Sequence, residues 1–142
     1  MKGIHILLVE DNEGDIMLIE EALEEGKVAN NVSIVRDGEK AIQFLDKKGD
    51  FENELSPDLM ILDINLPRKN GFEVLQYVKE SDQFKHIPVI MLTTSSSERD
   101  IAKSYSCHAN CYVTKPVGVE DFLKAVTSIE QFWIELVKLP TN

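Results

Sequence analysis

Five short apolar runs constrain this chain more than anything else in it. They fall at 4–9, 32–35, 59–62, 88–92 and around Tyr112 and Val113. Most are rich in Val, Ile and Leu and do not alternate with polar residues. A strand with one wet face alternates, whereas a continuous apolar run suits a parallel strand covered on both faces. Helical spacing separates the runs. Segment 15–25 carries Ile16, Leu18, Ile19, Ala22 and Leu23 between acids, and Gly26 follows as a C-cap. Segment 37–48 carries Ala41, Ile42, Phe44 and Leu45, and 72–79 carries Phe72, Val74, Leu75 and Val78. Weaker periodicity marks 98–107, and the longest helical pattern runs over about 119–137. Strand and helix alternating five times predicts a three-layer α/β sandwich with right-handed crossovers. The acidic stretch 47–57 reads as a surface loop.

The 142 residues suit one domain with a sizeable core, and 43% apolar with 28% charged residues is ordinary for a folded protein. A formal charge of −10 argues against a nucleic-acid partner, because an acidic surface repels phosphate backbones. No apolar run approaches the roughly 18 residues of a membrane span. The N-terminus lacks a cleavage-site pattern, so a cytoplasmic protein is expected. Cys107 and Cys111 flank His108, but the spacing is not that of a zinc pair and no second ligand pair exists. Reduced thiols are the expectation there.

Ligands of open parallel sheets sit beyond the C-terminal strand ends. The first run ends in Glu10-Asp11, the third in Asp63, the fourth in Thr93-Thr94 and the fifth in Lys115-Pro116. Any one of these is ordinary turn or cap chemistry. Together they place three carboxylates, a hydroxyl and an ammonium on one edge. Clustered carboxylates repel one another unless a cation neutralises them, and a hard divalent ion such as Mg²⁺ takes oxygen ligands. A carboxylate beside such an ion can attack phosphorus, and Lys115 and Thr93 can cover the phosphoryl oxygens.

This ordered set resembles the receiver domains of bacterial two-component signalling, the group that includes the chemotaxis response regulator. The similarity covers essentially the whole chain. Glu10-Asp11 matches the acidic pair, Asp63 with Pro67 and Gly71 the phosphoacceptor segment, Thr93 the hydroxyl, Tyr112 the switch aromatic and Lys115-Pro116 the lysine–proline pair. The resemblance implies a flavodoxin-like (βα)5 doubly wound sheet of strand order 2-1-3-4-5. It implies that Asp63 accepts phosphoryl from the phosphohistidine of a sensor histidine kinase. Mg²⁺ would be bound by Asp11 and Asp63 directly, by Glu10 mostly through water and by the backbone carbonyl of Asn65. Lys115 would pair with the phosphoryl oxygens, while Thr93 and Tyr112 switch position. Thr94 stands where the family often has Ala and would crowd attacking water.

Segments 107–112 and 129–135 are similar to the single-domain, usually dimeric regulators paired with bacterial and cyanobacterial phytochromes, which implies a phytochrome-type kinase. The tail supplies its own argument for a homodimer. Phe132, Trp133, Ile134, Leu136, Val137 and Leu139 spread around most of a helix, yet covering a sheet needs one stripe, so either the tail folds back on its own chain or it pairs two copies, and the two-fold dimer is the commoner assembly. The reading is therefore one receiver domain over 1–142, with 128–142 a C-terminal helical extension and Phe132, Trp133 and Leu136 as dimer contacts. No output domain is read, so output would be a protein contact or a phosphorelay step. The chain is expected to be no enzyme beyond its own phosphorylation and slow dephosphorylation. A magnesium phosphatase would want an acid two residues after its nucleophile, where this chain has Asn65. A flavin site is disfavoured by the acidic loop 11–15, which would repel a phosphate.

Overall fold

The computed structural model describes residues 4–25, 30–93 and 111–114, with Glu25, Asn30, Thr93 and the last four by their backbone. Its elements are β1 (Ile4–Val9), α1 (Glu13–Glu25), β2 (Asn30–Val35), α2 (Gly38–Leu45), β3 (Leu59–Asp63), α3 (Gly71–Glu80), β4 (Val89–Thr93) and β5 (Cys111–Thr114). The strands form one parallel sheet in the order β2-β1-β3-β4-β5, as expected. Gly26, Thr94, His108, Lys115-Pro116, Phe132, Trp133, Leu136 and the helical patterns at 98–107 and 119–137 lie outside the described residues.

The absence of polar alternation has a direct structural cause. Successive residues of a strand point to opposite faces. In β3, Met60 and Leu62 enter one core, while Leu59 and Ile61 enter the other. Likewise β4 sends Val89 and Met91 one way and Ile90 and Leu92 the other. Helices α2 and α3 cover the first face with Ala41, Phe44, Leu45, Phe72, Val74, Leu75 and Val78. Helix α1 covers the second with Ile16, Ile19, Ala22 and Leu23. Each fully buried Leu, Ile or Val contributes about 1.5–3 kcal/mol, so the central strands are held from both sides.

Helix starts follow local chemistry. The Asn12 side chain accepts from the Asp15 N–H at 2.9 Å, so α1 begins two residues before the periodic segment that predicts it. Asp37 caps α2 by accepting from the Lys40 N–H at 2.7 Å. Asn70 and Glu73 form a reciprocal capping box at the head of α3. The end of α2 differs from the expected one at Lys48. The helix stops at Leu45, because Lys47 turns left-handed at φ 56°. The N–H of Lys48 then bonds the Gln43 carbonyl at 3.0 Å and that of Lys47 the Phe44 carbonyl at 3.2 Å, a Schellman closure with lysine where glycine is usual. The segment 47–57 is a loop as expected, with a short 3-10 turn, Gly49–Phe51. Phe51 anchors it on Phe44, ring centres 5.4 Å apart, and Pro57 is buried.

Tyr77 of α3 donates to both Asp46 oxygens, at 2.6 and 2.8 Å, tying the end of α2 to α3. That bond, with burial, pushes the Tyr77 phenol up to about 12.

Candidate functional site

Sheet register brings the chemistry together. Val9 pairs with Leu62, so Glu10 stands level with Asp63. Asp63 pairs with Leu92, one residue before Thr93, and Thr93 pairs with Thr114, one residue before Lys115. Four strand ends thus lead to a single edge. The side chains of Thr93 and Tyr112 and the whole of Lys115 lie outside the described residues.

Glu10, Asp11 and Asp63 each place a carboxylate oxygen within 4.8 Å of the others. Glu10 is 1% exposed and Asp63 4%, whereas Asp11 faces solvent. Two buried carboxylates side by side require compensating positive charge. The donor set is all oxygen and one member is open to water, which suits a hard divalent cation that keeps part of its hydration shell. Glu10 is oriented by its own turn: its Oε2 accepts from the N–H groups of Asp11 at 3.0 Å and Asn12 at 3.2 Å. The Asn65 N–H donates to Asp63 Oδ1 at 3.3 Å and helps orient the carboxylate.

The loop after Asp63 is built for close approach. The Gly71 N–H donates to the Ile64 carbonyl at 2.8 Å, which folds the head of α3 against the end of β3. A β-carbon on Gly71 would lie 2.7 Å from Ile64 Cα and inside contact of the Asp63 carbonyl oxygen. Gly38 does the same next door. Its β-carbon would sit 2.7 Å from the Lys69 carbonyl carbon and 2.8 Å from Lys69 Cβ.

Sequence reasoning passed over the residues that flank the site. Arg68 holds a left-handed backbone at φ 67°, a conformation costing a non-glycine residue about 1 kcal/mol. Its guanidinium reaches Asp37 at 3.9 Å and Glu39 at 3.8 Å. On the other side Arg36 Nε donates to Glu13 Oε1 at 2.6 Å. That bond holds the Glu13 carboxyl below its ordinary range and raises Arg36. Asp37 was legible as a cap before Gly38, but nothing local announces a left-handed arginine.

A parallel sheet of this order with acids clustered beyond its first and third strands defines the class. The family model for the response regulator receiver domain matches residues 6–127, and the chain belongs to that family. Receiver domains take a phosphoryl group on an aspartate from a histidine kinase. The chain is 46% identical over 135 residues to the response regulator Rcp1 of Synechocystis sp., covering 95% of this chain and 92% of Rcp1. It is similar to the crystal structure of the phosphorylated cyanobacterial phytochrome response regulator RcpA, with TM-score 0.90, 44% identity and coverage of 99% and 100%. The Mn²⁺-bound form of Rcp1 matches with TM-score 0.87, 45% identity and coverage of 97% and 99%.

Proposed function

We propose that this chain is a single-domain response regulator whose Asp63 takes its phosphoryl group from a phytochrome-type histidine kinase in a Mg²⁺-dependent reaction. The observation that carries the reading is the meeting of Glu10, Asp11 and Asp63 at the C-terminal edge of a parallel sheet. An Asp63 oxygen attacks phosphorus, the phosphorus–nitrogen bond to the kinase histidine breaks, and the departing imidazole takes up a proton. Glu10, Asp11, Asp63 and the Asn65 carbonyl would hold Mg²⁺, which when bound neutralises carboxylate and phosphoryl charge. The Asn65 N–H presents one Asp63 oxygen in a fixed direction. Lys115 pairs with the phosphoryl oxygens, and Thr93 and Tyr112 report the new charge by changing position.

Likeness to Rcp1 and RcpA over nearly their full lengths supports the phytochrome link and the single-domain reading. Output is then a protein contact or a phosphorelay step. Extension 128–142 pairs two copies through Phe132, Trp133 and Leu136. Among the described residues no helix is long and apolar enough to cross a membrane, and the acidic chain acts in the cytoplasm without nucleic acid.

The test is intact-protein mass spectrometry after incubation with acetyl phosphate and Mg²⁺, on wild type and Asp63→Asn in parallel. One phosphoryl adduct on wild type alone is expected. An equal adduct on Asp63→Asn would move the acceptor elsewhere. No adduct on wild type, with beryllofluoride also failing to bind, would make the chain a phosphorylation-independent binding module.

A further inference from the structure

We propose that Arg68 is a positioning residue for this site, holding loop 64–70 against the head of α2 so that the Asn65 backbone stays beside Asp63. Its consequence for metal binding rests on the reading given above; the clamp itself does not. Pro67, Arg68, Lys69 and Asn70 are all exposed, so this stretch has no apolar anchor of its own between Leu66 and Gly71. Its lateral restraints come from α2. Arg68 Nε lies 3.9 Å from Asp37 Oδ2 and Nη1 lies 3.8 Å from Glu39 Oε2. The Gly38 N–H reaches the Pro67 carbonyl at 3.5 Å, a long bond, and Gly38 is bare enough for the Lys69 backbone to rest on it. Asp37 is a firm post for the clamp, because its side chain is only 12% exposed and already fixed by capping α2. The left-handed backbone of Arg68 turns the chain here. Arg36, next to Asp37 in the chain, makes a matching strut to Glu13 at 2.6 Å on the other side of the site. The three loops at the head of the sheet are therefore linked in series, α1 to β2 to the phosphoacceptor loop.

The sign of one measurement separates positioning from simple charge. Arg68 is a cation near a proposed cation site, so deleting its charge by field alone tightens Mg²⁺ binding. Loss of a clamp weakens it. Exposed ion pairs are modest, so the expected change is about two- to five-fold. The experiment compares wild type, Arg68→Gln, Arg68→Lys and Asp11→Ala as full chains, by calorimetric Mg²⁺ titration and by amide hydrogen exchange without metal. Arg68→Gln is expected to bind Mg²⁺ about two- to five-fold more weakly and to exchange faster at residues 65–70, with Arg68→Lys between it and wild type. Equal or tighter binding in Arg68→Gln, with wild type binding normally and Asp11→Ala impaired, overturns the proposal. Wild type that binds no Mg²⁺ overturns the metal reading instead. Exchange then decides the clamp alone, with faster exchange at 65–70 supporting it and unchanged exchange overturning it.

Discussion

Gly71→Ala tests a tight backbone joint directly behind Asp63. An alanine methyl there lies 2.7 Å from Ile64 Cα and closer still to the Asp63 carbonyl oxygen. Both obstacles are backbone, at the end of a strand whose residues 59–62 are fully buried. Neither can rotate aside, so α3 must move outward by on the order of 1 Å, beyond what packed interiors absorb freely. Such overpacking costs about 1–3 kcal/mol, and backbone obstacles place this case near the upper end. Alanine's better helix propensity offsets at most about 1 kcal/mol, leaving a net loss of about 2 kcal/mol. The outward shift also strains the Gly71 N–H bond to Ile64. With a urea slope of about 1–3 kcal/mol per molar, the midpoint falls by about 1 M. Gly14→Ala is the control. It is an exposed residue in the first turn of α1 with only Asn12 Oδ1 near, at 3.3 Å, and should be neutral or slightly stabilising. A Gly71→Ala midpoint indistinguishable from wild type would refute the close-approach argument.

Lys47→Gly should stabilise the fold by about 1 kcal/mol, because glycine adopts the left-handed closure of α2 without strain; an unchanged melting temperature would count against that closure. Tyr77→Phe should lose about 1 kcal/mol at neutral pH, after screening of a half-exposed bond is allowed for. The folded phenol titrates at about 12 against about 10 when unfolded, so its contribution is whole below pH 10 and lost as pH rises toward 12. Urea unfolding across that window should show this alkaline slope in wild type and not in Tyr77→Phe. Trp133→Ala should weaken self-association at least ten-fold in sedimentation, since a buried Trp is a common interface anchor; a wild-type chain that stays monomeric at high concentration would remove the dimer.

Much of this was legible in the residues, for definable reasons. Strands with two apolar faces, such as Leu59 to Leu62, have no other stable home than between two helical layers, and the structure places them there. Once the strands run parallel, the residues after each are forced to one edge. Glu10, Asp11 and Asp63 therefore came together although 53 positions separate Glu10 from Asp63. What escaped depends on backbone shape and on pairing between loops. Lys47 and Arg68 take left-handed conformations that their side chains do not favour, so no propensity marks them. The Arg68 contacts with Asp37 and Glu39 join the loop after β3 to the head of α2, and charge alone does not name which acids an arginine meets.

The long connection between α2 and β3 opens an engineering route. It leaves from Asp46 and enters at Asp58, whose carboxylate and N–H close on the backbone of His5 at 2.8 and 2.7 Å. This is the start of β1, the opposite end of the sheet from Glu10 and Asp63. Phe51 and Pro57 pin the loop, while Glu52 and Asn53 between them stand in solvent. Lengthening a surface loop adds little closure entropy, about 0.6 kcal/mol per doubling. A fluorescent or affinity module spliced between Glu52 and Asn53 would therefore ride on the far pole of the domain. It would leave the acidic edge uncovered and open to a kinase.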